Sequence, residues 1–257
     1  MANRNLIISA IVVVALNIAT PLILRAGGCP TEPGWDYTTN GPETWGTLFP
    51  ALCGLGVRQS PINIDPSSVI STSLPKLRFF SDVADVVTLD HDDQTLVGHG
   101  EDNYILIGNT QYVLFNIHAH TPSEHTINGK LYPLELHLVH VSSAGQLAVV
   151  GVLVEQGQAN AGIIKPPTAL DPSSVDFRLV DLLPNNRQRY TYDGGLTSPG
   201  SDPKTLGCPE TVLWSLMKKP IQMSADQIKA FEDSGYACWS TNNTARPVQP
   251  VNNAPSK

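Results

Sequence analysis

The residues from Phe115 to His125 read FNIHAHTPSEH, and three of the chain's 7 histidines fall within them. A second run, LYPLELHLVH from Leu131 to His140, carries two more. Both runs are apolar and of strand length. In a β-strand successive side chains point to opposite faces. His118 and His120 then look the same way, and Glu135 and His137 share a face. If the two strands are neighbours in a sheet, three imidazoles converge on one surface. A rigid sheet that presents three histidines and leaves a fourth position open suits catalytic zinc. A single His-x-His in a β-rich chain is more often an ordinary core or surface feature. The second histidine-bearing strand, with a carboxylate on the same face, turns the reading toward a metal. A ligating histidine commonly gives its other N–H to a carboxylate or amide. Glu135 and Asn116 stand where they can accept one.

Working outward, NYILIG, QYVLFNIHAH, LYPLELHLVHVS, QLAVVGVLVEQG and ETVLWSLMK are further runs of strand character, and Gly, Asn, Asp or Pro separates most of them. One helix is predicted in SADQIKAFEDSG. Ser224 caps it with Gln227 three residues on, Ile228 and Phe231 face inward, and Gly235 ends it. Strands outnumber helices, so the fold class is α+β, mostly β, in one domain built around a large sheet with few peripheral helices.

Apolar residues make up 41% of the 257, enough for a substantial core, and charged residues only 15%, which excludes a disordered polyampholyte. The net charge of −7 with no Lys/Arg cluster excludes a nucleic-acid backbone binder. At the N-terminus, Arg4 precedes a nearly unbroken apolar run from Leu6 to Ile18. Residues 1–28 therefore read as a signal peptide or, if uncleaved, a membrane anchor; 29–251 form the domain, and 252–257 a loose tail. A membrane is a partner only in the anchored case. The oligomeric state is not legible. Four cysteines, Cys29, Cys53, Cys208 and Cys238, contain no C-x-x-C pair, and their even number behind an export signal favours disulfides in one of three connectivities.

Eight segments in order resemble the α-class carbonic anhydrases: WDYTTNGPETW (35–45), RQSPINI (58–64), HAHTPSEH (118–125), ELHLVH (135–140), LAVVGV (147–152), GGLTSP (194–199), WSLMKKPI (214–221) and RPVQP (246–250). HTPSEH without an inserted loop is closest in style to bacterial, plant or algal members. The resemblance implies a twisted, largely antiparallel sheet with Zn2+ at the base of a conical cleft. His118, His120 and His137 match the ligands. Asn116 stands in for a glutamine that orients the first, and Glu135 matches the carboxylate that holds the third. Thr197 matches the hydroxyl that accepts a hydrogen bond from the nucleophile, and Glu124 the carboxylate that takes the Thr197 proton. Val139, Val149, Leu196, Ser198, Val212 and Trp214 match the lining of the substrate pocket.

The implied activity is reversible hydration of carbon dioxide to bicarbonate and a proton, by attack of a zinc-held hydroxide. The competing readings are a non-catalytic binding or storage protein on the same fold, whose kind typically loses ligands, and a zinc-dependent esterase. In fast members a cleft histidine about 24 residues before the first ligand exports the proton. Here LDHDDQTLVGHG aligns Gln94 at that position, which leaves His91 as the candidate substitute. Exported members commonly join the segments that here carry Cys53 and Cys208, which implies that disulfide and an exported location: secreted, periplasmic or in an organelle lumen.

Overall fold

A computed structural model of the chain describes residues 34–81, 86–92, 95–97, 103–165, 175–200, 207–234, 243–252 and 255–256. Its centre is an eight-stranded sheet. The strands are β1 (Leu77–Phe80), β2 (Tyr104–Ile107), β3 (Thr110–His120), β4 (Leu134–Ser142), β5 (Leu147–Gln156), β6 (Arg189–Gly194), β7 (Val212–Met217) and β8 (Ile221–Met223). Across the sheet they run β6-β7-β5-β4-β3-β2-β1, and β8 pairs with the far end of β5. Every pairing from β1 to β5 is antiparallel, while β7 and β8 both lie parallel to β5. The sheet is therefore mixed and largely antiparallel. Arg189 Nη2 donates to Pro75 O at 2.7 Å, and the Arg187 guanidinium sits 5.3 Å from the Phe79 ring centre. These contacts tie the β6 side of the sheet to the β1 side, so the sheet curls.

Alternation along the central strands divides core from site. Leu134, Leu136 and Leu138 of β4 join Ala148, Val150, Val152 and Val154 of β5 in the main core, with Ile228 and Phe231 of helix α2 (Ala225–Ser234) packed in the same cluster. Each buried leucine or valine among them contributes roughly 1.5–3 kcal/mol. Glu135, His137 and Val139 face the other way. On β3 the parity changes partway. Tyr112 and Leu114 face the core before a register shift, and Ile117 and Ala119 face it after. The extra residue, Phe115, is exposed. Such a bulge rotates the rest of a strand onto the opposite face. Here it puts Asn116, His118 and His120 on the side of Glu135 and His137.

Helix α2 starts at the expected capping box: Ser224 Oγ accepts from Gln227 N–H (3.2 Å), and Gln227 Oε1 accepts from Ser224 N–H (3.1 Å). Gly235 lies outside the described residues. The sequence reading missed helix α1 (Pro42–Leu48), which begins on a proline and buries Trp45. The tail, expected to be loose from residue 252, is held at two positions. Ile70 N–H donates to Pro255 O at 2.9 Å, and Thr191 and Ser256 exchange both backbone hydrogen bonds at 2.8 Å. The Thr191–Ser256 pair satisfies groups on β6 that would otherwise be part of a bare sheet edge. The N-terminal segment, Cys29 and Cys238 lie outside the described residues. Among those residues no helix is long and apolar enough to cross a membrane.

Candidate metal centre

His118 lies directly opposite His137 in the pairing of β3 with β4, and His120 lies opposite Glu135. The ligand atoms of the three histidines lie within 4.8 Å of one another. Each ring is fixed by its outward nitrogen. His118 Nδ1 bonds Asn116 Oδ1 at 2.7 Å, His120 Nδ1 bonds Thr244 O at 2.7 Å, and His137 Nε2 bonds Glu135 Oε1 at 2.9 Å. All three partners accept, so each outward nitrogen carries the proton. His118 Nε2, His120 Nε2 and His137 Nδ1 are left as bare lone pairs facing one another.

Burial lowers the pKa of His118 well below the usual imidazole value, with His137 and His120 adding to the effect, and burial likewise lowers that of His120. Neutral imidazoles are the form a metal needs. His120 Nε2 is buried with no hydrogen-bond partner. An orphaned buried lone pair is costly, and a divalent ion shared with the other two nitrogens removes that cost. The residues therefore fit zinc. A second grouping, His125 with Glu135 and His137, is closed by its own hydrogen bonds.

Glu135 is fully buried and accepts four hydrogen bonds. Two come from the backbone N–H of Glu124 (2.9 Å) and His125 (2.8 Å), and two from His125 Nδ1 (2.7 Å) and His137 Nε2 (2.9 Å). Burial alone would raise its pKa, but His125 and His137 bring it well below the usual carboxylate range. Gly151, opposite His137 on β5, makes room for this carboxylate. A Cβ there would come within 2.8 Å of Leu216 Cδ1 and 3.1 Å of Glu135 Oε1.

Glu124 is 1% exposed. Its Oε1 accepts from Arg246 N–H at 3.0 Å, and its Oε2 lies 3.3 Å from His120 Nε2 and 3.9 Å from His137 Nε2. Thr197 is buried on the loop after β6. The expected hydrogen bond from Thr197 to Glu124 is not formed among the described residues, because Glu124 Oε2 is turned toward the imidazole edges and has no hydrogen-bond partner. Val139, Val149, Val212 and Trp214 form one apolar cluster, with Leu147, Tyr192 and Leu196 packed against it. The Trp214 ring is 4.9 Å from His137, and its Nε1 donates to Gly195 O at 3.0 Å. Ser198 is half-buried on the same loop. Gln94 and the side chain of His91 lie outside the described residues.

Cys53 and Cys208 are bonded, with Cα atoms 4.8 Å apart. Gln59 Nε2 donates to Cys208 O (3.1 Å), and Leu196 N–H donates to Pro209 O (3.1 Å). The bridge is thus fastened to the loop that carries Thr197. Sequence reasoning missed three contributors. The Thr244 carbonyl is a backbone group with no side-chain signature. Tyr192 and Arg246 enter only through contacts with distant segments.

A family model described as eukaryotic-type carbonic anhydrase matches residues 40–255. A carbonic anhydrase of Nostoc sp. is 34% identical over 245 residues, covering 87% of this chain and 88% of the relative. One of Pectobacterium carotovorum is 33% identical over 228 residues, covering 85% and 88%. The solved structure of the α-carbonic anhydrase from Thermovibrio ammonificans, in complex with the inhibitor sulfanilamide, superposes with a TM-score of 0.74 at 31% identity, covering 87% of this chain and 98% of that one.

Proposed function

This chain belongs to the eukaryotic-type, or α-class, carbonic anhydrase family, a zinc lyase family that hydrates carbon dioxide reversibly, and from that premise we propose how its residues carry out the reaction. His118, His120 and His137 would hold the metal through the three inward nitrogens. In this family the bound zinc lowers the pKa of a coordinated water to about 7, so a nucleophile exists at neutral pH. The three imidazoles are neutral and would bring no negative charge to the ion. Asn116, Thr244 and Glu135 keep each ring in the tautomer that presents a lone pair.

Thr197 orients the nucleophile. An ionised carboxylate only accepts hydrogen bonds, so a Thr197 hydroxyl turned onto Glu124 gives away its proton there. Its oxygen can then only accept from the attacking group. The Glu124 oxygen that has no hydrogen-bond partner is the acceptor available for this contact. Carbon dioxide is uncharged and needs an apolar shelf beside the metal. Val139, Val149, Val212, Trp214 and Leu196 supply it, with Ser198 at its edge. By the family resemblance Gln94 aligns with the proton-export position, where an amide carries no proton at neutral pH, and His91 is the candidate replacement.

The observation that carries this reading is the convergence of three bare imidazole nitrogens whose outward partners are all satisfied. Hydration of carbon dioxide, followed by stopped flow with a pH indicator, tests it. Activity should vanish with chelation and return with added zinc. His118→Ala, His120→Ala and His137→Ala should each lose metal and turnover. A variant that keeps stoichiometric zinc and full turnover would refute its assignment. The Cys53–Cys208 bridge fits an oxidising, exported compartment, and residues 1–28 would direct that export.

A further inference from the structure

The sequence holds no Lys/Arg cluster, yet the curl of the sheet assembles one. Lys76 and Arg78 stand at the start of β1, Arg187 and Arg189 at the start of β6, and Lys218 and Lys219 follow β7. Specific contacts join the three segments. Arg189 Nη2 donates to Pro75 O, next to Lys76, at 2.7 Å, and Arg187 lies 5.3 Å from the ring centre of Phe79, next to Arg78. Gly108 N–H donates to Lys76 O (2.9 Å), and Gly108 O accepts from Arg78 Nη2 (3.5 Å). On the other flank Lys218 N–H donates to Gln188 O (2.9 Å), and Lys218 Nζ sits 4.8 Å from the centre of the Tyr190 ring.

The segments that meet at this seam bring no acid with them. Residues 66–80, 103–112, 182–192, 211–224 and 251–257 contain no Asp or Glu, although the chain has 23. Among the described residues, the ion pairs of lysine and arginine join Arg58 to Glu210, Arg178 to Asp181 and Lys229 to Asp233. None of them reaches Lys76, Arg78, Arg187, Arg189 or Lys219. The arginines are held instead by carbonyls and an aromatic ring, which fix a cation without cancelling its charge. Lys76, Arg78 and Lys219 are exposed, and Arg187 and Arg189 are half-buried. Burial lowers the pKa of both half-buried guanidiniums, which have lost part of their hydration. The acids behind the net charge of −7 lie on other segments. Salt confines the reach of exposed charges to about 8 Å under physiological conditions. A partner at the seam therefore meets the cations and not those acids.

We propose that this seam binds an acidic polysaccharide, one carrying sulfate or uronate groups, and tethers the enzyme to it. Cations spread over three segments suit an extended ligand with many anionic groups better than a single small ion. Guanidinium pairs bidentately with the oxygens of such groups. In the exported compartment proposed above, polysaccharides are the polyanions of this form, so the choice of polymer rests on that reading while the charge of the seam does not. The metal centre stays open when the seam is occupied. Arg189 and Gly194 are the two ends of β6, roughly 16 Å apart along the strand, and the Thr197 loop leaves from the Gly194 end.

Fluorescence anisotropy of labelled heparin, which carries both sulfate and uronate, tests this when titrated with the full chain at low and at high salt. Wild type should bind at low salt and release as salt rises. Arg78→Gln combined with Lys219→Gln removes two exposed seam charges and should weaken binding about tenfold, toward the upper end for two exposed charge pairs. Lys130→Gln combined with Lys229→Gln changes the net charge equally outside the seam and should leave the affinity as it is. Circular dichroism and the turnover of both double variants should match wild type. Absence of binding by wild type at low salt overturns the proposal. An equal loss in the two double variants also overturns it, since net charge alone would then explain the binding. A labelled DNA duplex bound more tightly than heparin would overturn the choice of polymer.

Discussion

His140, on β4 three residues beyond His137, offers a quantitative test of the fold apart from the metal. It is 1% exposed, and its Nδ1 donates to Leu138 O at 2.8 Å. Burial, only partly offset by the carbonyls of Leu138 and Ala148, pushes its pKa from 6.5 down to about 4. The folded pKa thus lies below the unfolded one, so between these values the unfolded chain holds a proton that the folded chain does not. Stability rises with pH across that window and falls as acid is added, levelling off below the folded pKa. The full span corresponds to about 3 kcal/mol, and acidification from about pH 7 to about pH 5 should remove about 2 kcal/mol through this residue. His140→Asn keeps a donor near the Leu138 carbonyl and removes the titration. Its packing cost does not depend on pH and cancels in the comparison. Urea unfolding of zinc-free wild type and variant at both pH values isolates His140, since the other buried histidines are common to both. The variant should lose about 2 kcal/mol less than wild type on acidification. An identical loss in the two proteins would refute the claim that His140 is buried neutral.

Glu135→Ala removes the acceptor of His137 Nε2 and should weaken zinc binding roughly 10–100-fold without abolishing it, as measured by chelator competition; unchanged affinity would exclude Glu135 from supporting the ligand. Cys208→Ser opens the 155-residue separation closed by the disulfide. It should lower stability to urea by an amount of order 4–5 kcal/mol in the loop-entropy account, and should lower turnover through the Thr197 loop more than it lowers zinc affinity. Turnover should fall short of the roughly 10⁶ s⁻¹ of the fastest carbonic anhydrase. Added imidazole should raise kcat more than kcat/KM, and Gln94→His should reduce that dependence; maximal kcat in dilute buffer that falls in His91→Ala would assign the shuttle to His91 instead.

The grouping of His118, His120 and His137 was legible because period-two alternation survives everything that happens upstream of them. The bulge at Phe115 was not legible, since it exchanges core and site faces along β3 while leaving the spacing of His118 and His120 untouched. Leu114 is core and Asn116 is not, although strict alternation from Tyr112 would give both the same face. Helix Pro42–Leu48 is only 7 residues long, too short to establish an apolar period, and a proline at its start reads first as a turn. The strands and the capped helix were legible because their signals are local.

What the sequence hid is the origin of the forces that orient the rings. Asn116 and Glu135 support their ligands from two residues away on the same strand, and such spacing is visible in a string of letters. His120 is held by a carbonyl 124 residues distant. The segment bearing that carbonyl is fixed in turn. Thr244 N–H donates to Thr121 O (2.8 Å), Arg246 donates to Ser60 O (2.7 Å) and Gln59 Oε1 (3.0 Å), and Gln249 N–H donates to Pro61 O (2.7 Å). RQSPINI and RPVQP thus contribute no ligand, yet they determine where one ligand's proton points. A metal site built on two adjacent strands is in this way made dependent on the closure of the whole chain. Loosening residues 243–249 should release His120 before it disturbs His118 or His137.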